Sequence, residues 1–291
     1  MIIFIIACAS EQEIDFWTWE EEHPTIQYSY EELQKPLGLI SYEDGFLVCD
    51  ENLQSIVRLE EGEQTVVVDN VLSPSEIIIH NDDVYFTTES TIEQLLVEDN
   101  SSNPVIENLV SPKRITIYNE QLFWIEEDTL YYLDGSQPAT LCSDLSAPYD
   151  IIEWKDALWI TTQGDNGLWK LENNECTLIE ELDDIPHRMT VDTDTLWITT
   201  RSFRWPYGGW IVSYDGNTIK HTESPPEPEH ITTWNGQVIW SSKQSITSYE
   251  QTPYSMLAAQ TTVGDMIIRD NVLYWSDVHG GRIGSITLSE Q

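Results

Sequence analysis

Positive charge is scarce in this chain. Thirteen Lys and Arg stand against 51 Asp and Glu, a formal net charge of −38. Such a surface repels phosphate backbones and anionic head groups, so nucleic acid and anionic lipid are excluded as bulk partners. The acidic excess itself serves solubility. Cysteine is sparse, with four in 291 residues, and no Cys-x-x-Cys pair suggests zinc. Neither Gly-x-Ser-x-Gly, His-Glu-x-x-His nor a phosphate-binding loop occurs, which removes the usual sequence grounds for a serine hydrolase, a zinc protease or a nucleotidase. The Asp-x-Asp-x-Asp-Gly loop of calcium sites is also missing. Beyond the first eight residues, no apolar run approaches the ~20 residues of a membrane helix.

What the chain does have is a repeat. Pro36, Pro74, Pro112, Pro148, Pro186 and Pro228, with Val263 in the seventh copy, recur at intervals of 38, 38, 36, 38, 42 and 35 residues. Three residues after each marker stands an apolar residue: Leu39, Ile77, Ile115, Ile151, Met189, Ile231 and Met266. An apolar or aromatic triplet follows, such as Leu122-Phe123-Trp124, Leu158-Trp159-Ile160 or Leu273-Tyr274-Trp275. A period near forty built from short β segments predicts an all-β fold, a seven-bladed β-propeller of four-stranded blades.

In the second copy, Ile77–Ile79 reads as a strand, Val84–Thr87 as its return, Glu93–Val97 as the third strand and Pro104–Glu107 as the fourth. Asp44-Gly45, Asn81-Asp82 and Asn235-Gly236 supply turns for the first hairpins, and Asp134-Gly135 and Asp215-Gly216 for the second. Trp124, Trp159, Trp197, Trp240 and Trp275 share one register position, which assigns them to packing between blades rather than to a ligand cage. The last copy offers three strands. Thr25-Ile26-Gln27-Tyr28 resembles the outer strands elsewhere, so an N-terminal strand is expected to close the ring.

These motifs resemble the NHL-type propellers and, more closely, the virginiamycin B lyase-like propellers, which carry Pro-x-Gly-Ile followed by Trp-Phe-Thr-Glu. The matches are Pro36-Leu-Gly38-Leu39, Tyr85-Phe86-Thr87-Thr88-Glu89, Leu196-Trp197-Ile198-Thr199-Thr200 and Leu273-Tyr274-Trp275-Ser276-Asp277 with Arg282-Ile283-Gly284. The resemblance covers residues 25–288 and implies the fold. It does not carry the lyase's catalytic residues across, because Thr88, Thr162 and Thr200 stand where the family pattern ends in Glu.

Ile5-Ile6-Ala7-Cys8 resembles the lipobox of bacterial lipoproteins. Residues 1–8 then read as a lipoprotein signal ending in a lipidated Cys8, residues 9–24 as an acidic tether, and 25–291 as the propeller. That places the protein in the bacterial cell envelope, touching the membrane only through a lipid anchor at Cys8. The remaining thiols are Cys49, Cys142 and Cys176. Cys142 and Cys176 fall on outer strands of neighbouring blades, which leaves one bridge open, but three buried thiols are the preferred reading.

Antiparallel blades put the Pro-marked connections and the loops after the triplets on one face. Residues just after the markers then ring the channel mouth: Lys113, Arg114, Tyr149, His187, Arg188 and His230 among them. Eight of 13 basic residues map to this face, including Arg201 and Arg204. The fifth copy carries the one irregular loop, with Arg201, Phe203, Arg204, Trp205 and Tyr207, a composition suited to recognition. The expectation is a non-catalytic, monomeric binding module that engages a protein, glycan or small anionic ligand. A metal-assisted lyase or hydrolase using His187, His230 and His279 with a divalent ion is the first alternative, and a scaffold subunit of an envelope complex the second. No cofactor is otherwise expected.

Overall fold

The computed structural model describes residues 26–202, 208–223, 225, 227–243, 245–249, 255–259 and 261–288. They form seven four-stranded antiparallel sheets in chain order, a seven-bladed propeller. The innermost strands are Pro36–Tyr42, Ile77–His80, Lys113–Tyr118, Pro148–Trp154, Ile185–Asp192, Ile231–Trp234 and Val263–Arg269. First strands of successive blades touch one another, as expected of strands converging on a central channel. The seventh sheet runs Gln27–Ser29, Arg282–Thr287, Val272–Asp277, Val263–Arg269, so the N-terminal strand does close the ring. Arg282 secures that junction, its guanidinium 3.5 Å from the centre of the Tyr28 ring. Among the described residues the one helical piece is the short turn Val97–Asp99, inserted between the third and fourth strands of blade two, Ile92–Leu96 and Ser101–Ile106.

Turn chemistry agrees with the sequence at Asn81-Asp82 and Asn235-Gly236, where both residues have positive φ. The first hairpin turns one residue earlier than Asp44-Gly45 suggests. Glu43, at φ 48°, and Asp44 make the turn, and Gly45 pairs with Tyr42. Gly45 is needed for a different reason: a Cβ there would run into the Leu59 carbonyl.

Apolar burial is divided into wedges between blades. Leu47, Cys49 and Ile56 of blade one pack on Ile77, Val84 and Phe86 of blade two, and comparable clusters fill the other six interfaces. Each sheet buries both faces, so its central strands read as continuous apolar runs. Trp124 and Trp275 are fully buried, Trp159 and Trp240 are 4% and 3% exposed, and Trp197 packs partly buried between blades five and six. These tryptophans are core, as their register predicts.

One recurrent feature escaped the sequence reading. The residue after each triplet is Cys49, Thr87, Ile125, Thr161, Thr199, Ser241 and Ser276. In blades four, five and seven its hydroxyl reaches a carbonyl of the next blade and so laces blades together. The Thr199 hydroxyl accepts from the Arg188 amide at 3.1 Å and donates to the Glu229 carbonyl of blade six at 3.0 Å. Ser276 accepts from the Asp265 amide (2.8 Å) and donates to Leu37 of blade one (3.0 Å). Thr161 donates to the His187 carbonyl of blade five at 2.8 Å. Blade three alone carries an aliphatic residue here, Ile125, and its neighbouring Arg114 takes φ 43°.

Cys142 and Cys176 are joined in a disulfide, their Cα atoms 6.1 Å apart. The reading of three buried thiols therefore holds only for Cys49. The two outer strands Gln137–Cys142 and Glu175–Glu181 lie side by side at the rim of the wedge between blades three and four, and this brings the thiols within the roughly 4.4–6.8 Å Cα span of a bridge. For a sequence separation of 34 residues, constraint of the unfolded chain is worth about 3–4 kcal/mol. Cys142→Ser should lower the unfolding free energy by about 3 kcal/mol. Guanidinium midpoints with and without reductant check this, and midpoints that do not separate would count against the bridge.

Candidate functional site

The second residue after each marker is Gly38, Glu76, Arg114, Asp150, Arg188, His230 and Asp265, one per blade. The register of the first hairpin shifts at this point in blades one, three, four, five and seven. Such a bulge re-aims a side chain out of the ladder. The residues form a charged ring at the channel mouth. Arg114 bridges its two neighbours, bonding Glu76 on one side and Asp150 on the other (Nε–Oδ1 2.7 Å). Arg188 contacts Asp150 of the adjacent blade at 3.9 Å. It also reaches Glu76 of blade two at 3.6 Å. Blade one contributes only Gly38, because a Cβ there would sit 2.6 Å from the Ser75 carbonyl.

Carboxylates in the ring also hold backbone. Asp150 accepts from the Met189 amide of the next blade at 2.6 Å, and Asp265 from the Leu39 amide of blade one at 3.2 Å. Tyr149 and His187 meet with ring centres 4.6 Å apart and planes tilted by 47°, and Arg188 lies 5.6 Å from the Tyr149 centre. Arg201 is tied to Glu229.

Burial and neighbours set the protonation states. Burial lowers His187 to about 4, helped by Arg201. His230 falls to about 3, again mainly by burial, then by Arg114, Arg201 and His187. Both imidazoles are therefore neutral at pH 7. Burial raises Asp265 to about 7, and the charge of Glu76 adds to it. Burial raises Asp150 as well, opposed by Arg114 and the Met189 amide. Burial works against the charge of Arg114, but Asp150 and Glu76 outweigh it and keep that guanidinium protonated.

The sequence-selected residues Arg114, Tyr149, His187, Arg188, Arg201 and His230 are thus brought together, and Lys113 stands exposed beside Arg114. Phe203, Arg204, Trp205 and Tyr207 lie outside the described residues, as does Cys8. Trp210 belongs to the third strand of blade five, Gly208–Tyr214, and its ring packs against His221. Most of the positive charge is already neutralised by neighbours: Lys35 by Glu51, Lys243 by Glu227 at 2.5 Å, and Arg282 by Asp277 at 3.0 Å. His279 is exposed and contacts the Thr262 hydroxyl at 2.7 Å. Among the described residues, no three His, Cys, Asp or Glu converge as a ligand set for a metal ion.

The positions where the resembling lyases carry Glu have a structural task here. Thr88 accepts from the Ser90 and Thr91 amides, Thr162 from Gly167, and Thr200 from Trp210. Each hydroxyl closes the loop that leaves its own strand.

No sequence family matches the chain, and no curated protein matches it in sequence. Solved structures do. A streptogramin B lyase superposes with a TM-score of 0.70 at 17% identity, over 91% of this chain and 97% of the lyase. The extracellular domain of the hybrid two component system BT4673 from B. thetaiotaomicron gives 0.74 at 13%, covering 92% of this chain and 40% of that one. A gluconolactonase from Xanthomonas campestris gives 0.57 at 12%, over 91% and 89%. At these identities the likeness is one of fold.

The pH dependence of folding follows from the shifts. The two histidines bind fewer protons folded than unfolded, so their contribution is lost as pH falls from 6.5 toward 3–4. Asp265 has the opposite sign: folded, it holds its proton to about 7 instead of 3.8, so stability falls as pH rises through that window. His230→Gln should flatten the acid limb. Asp265→Asn should gain on the wild type steadily between pH 4 and pH 8. Urea midpoints across that range read both slopes, and parallel wild-type and variant curves would contradict the assignment.

Proposed function

We propose that this propeller is a non-catalytic binding module whose channel mouth takes a small anionic ligand, with Arg188 as the anchor. One observation carries the reading. In the first two strands of blade five, buried nitrogens lack hydrogen-bond partners among the described residues: Arg188 Nε and Nη1, Arg201 Nε and His187 Nδ1. Buried donors without acceptors are costly, and a carboxylate brings two acceptor oxygens in the geometry a guanidinium fits. Arg114 is already engaged on both sides. Arg114 and Arg201 each leave Nε without a hydrogen bond but hold a carboxylate closely through an ion pair, whereas Arg188 is 3.6 and 3.9 Å from its nearest carboxylates and leaves both Nε and Nη1 unmet among the described residues. Structural neighbours that include the extracellular domain of a two component system are compatible with this use of the fold, as are enzymes, so the choice rests on the site.

Arg188→Ala should weaken binding of a small carboxylate at least about tenfold, the loss of roughly 1.4 kcal/mol or more, with Arg188→Lys recovering part. Calorimetry on a panel of anionic metabolites, with and without divalent ions, makes the measurement. Metal-dependent turnover of any panel member would replace this reading with an enzymatic one.

We also propose that the protein works outside the bacterial cytoplasm, anchored through a lipid on Cys8. The Cys142–Cys176 disulfide supports the compartment, since such bridges persist in oxidising surroundings. The apolar run ending in Ile5-Ile6-Ala7-Cys8 supports the anchor. Labelled fatty acid fed to expressing cells should enter the wild type and not Cys8→Ala; equal labelling of both would refute the anchor.

A further inference from the structure

The charges around the site restrict what kind of anion fits. Three guanidiniums, Arg114, Arg188 and Arg201, face four carboxylates, Glu76, Asp150, Glu229 and Asp265. With all seven ionised the net charge is 3 − 4 = −1. A proton on Asp265 brings it to zero. Such a mouth tolerates one added negative charge placed on Arg188, while a dianion sets its second charge against the surrounding carboxylates. A phosphate ester is poorly matched on that ground, even though guanidinium geometry alone suits it.

The remaining surroundings are acceptors and flat faces. Glu76 and Glu229 offer carboxylate oxygens, and His187 is a neutral imidazole whose Nδ1 has no partner among the described residues. A ligand that brings only acceptors leaves these oxygens facing its own, whereas hydroxyl groups donate to them. The Tyr149 ring, tilted against His187 and close to Arg188, supplies a face for a short carbon skeleton.

We infer that the mouth selects a small hydroxylated monocarboxylate, the sugar-acid class, over phosphate esters and over carboxylates without hydroxyl groups. This rests on the reading of the mouth as a binding site. Arg188 takes the carboxylate, the Glu76 and Glu229 carboxylates accept from hydroxyls, and His187 orders the hydroxyl nearest Tyr149.

Titration calorimetry on the full chain with D-gluconate, hexanoate, D-glucose and D-glucose 6-phosphate tests it. Gluconate should bind at least about tenfold tighter than each of the other three and lose about tenfold with Arg188→Ala. Glu229→Gln removes one negative charge and one acceptor, so it should narrow the preference for gluconate over glucose 6-phosphate by about tenfold. Glucose 6-phosphate or hexanoate binding as tightly as gluconate, and in an Arg188-dependent way, would overturn the ligand class while leaving the binding site standing. Heat from none of the anions, or heat indifferent to Arg188→Ala, would overturn both. Urea midpoints of the two variants near the wild type confirm that lost binding is not lost folding.

Discussion

Seven strands converge on one axis, and where each leaves its ladder beside the channel its backbone groups need partners that the ladder no longer supplies. An unanswered buried amide or carbonyl costs about 1–3 kcal/mol, and the ladder shifts register there in blades one, three, four, five and seven. Five of the seven blades carry a hydroxyl one residue beyond the triplet: Thr87, Thr161, Thr199, Ser241 and Ser276. Thr199 and Ser276 each take an amide of their own blade and give a proton to a carbonyl of the next. The same contact therefore satisfies the bulge and sets the spacing between blades. Asp150 and Asp265 add a second lacing by accepting amides from the following blade. The apolar wedges give the assembly most of its stabilisation, but they are non-directional; the hydroxyl ring fixes how the wedges are turned.

That division explains how the fold leaves room for function. Once backbone partners come from the second strand, the side chain two residues after each marker is freer to vary, although Asp150 and Asp265 still hold amides of the next blade. Those seven positions hold one Gly, three acids, two Arg and one His. Blade three shows the limit of the scheme. Ile125 has no hydroxyl to offer, and Arg114 beside it takes a left-handed backbone and anchors itself through two carboxylates instead. Variation at the mouth is cheap wherever the hydroxyl is present, and it is where propellers can acquire different ligands on one scaffold.

The architecture was legible in the sequence because it is periodic. Proline markers, triplets and turn pairs repeat, and the incomplete seventh copy with Gln27-Tyr28 upstream exposes the closure. The post-triplet hydroxyls were equally readable as Thr87, Thr161, Thr199, Ser241 and Ser276; the longer aromatic signal beside them drew attention away. The identity of the mouth residues could also be read, since their position follows from the marker. Their pairings could not. Arg188 meets Glu76 across three blades, and nothing in the order of residues states which of seven convergent side chains will touch. The disulfide failed for a related reason: neighbouring outer strands are implied by the repeat, but the register that sets Cys142 beside Cys176 depends on how each blade twists.

The site gains its meaning from contrast with the rest of the surface. A chain at −38 repels anions at long range, yet its mouth gathers three guanidiniums and stands within one charge of neutrality. Beyond a Debye length of about 8 Å at physiological salt the surface field is screened, so recognition is decided by the groups in contact. Within that distance the proton on Asp265 matters most. Glu76 and burial raise its affinity for that proton, and ionisation of Asp265 would add a fourth full negative charge against three positive ones. On the proposed reading, acidity that fills Asp265 favours an incoming anion, which links protonation and binding through the same ring. The acidic exterior and the balanced mouth are compatible because they act over different distances. The exterior carries the bulk acidic charge, while in the proposed site the mouth weighs single charges one at a time.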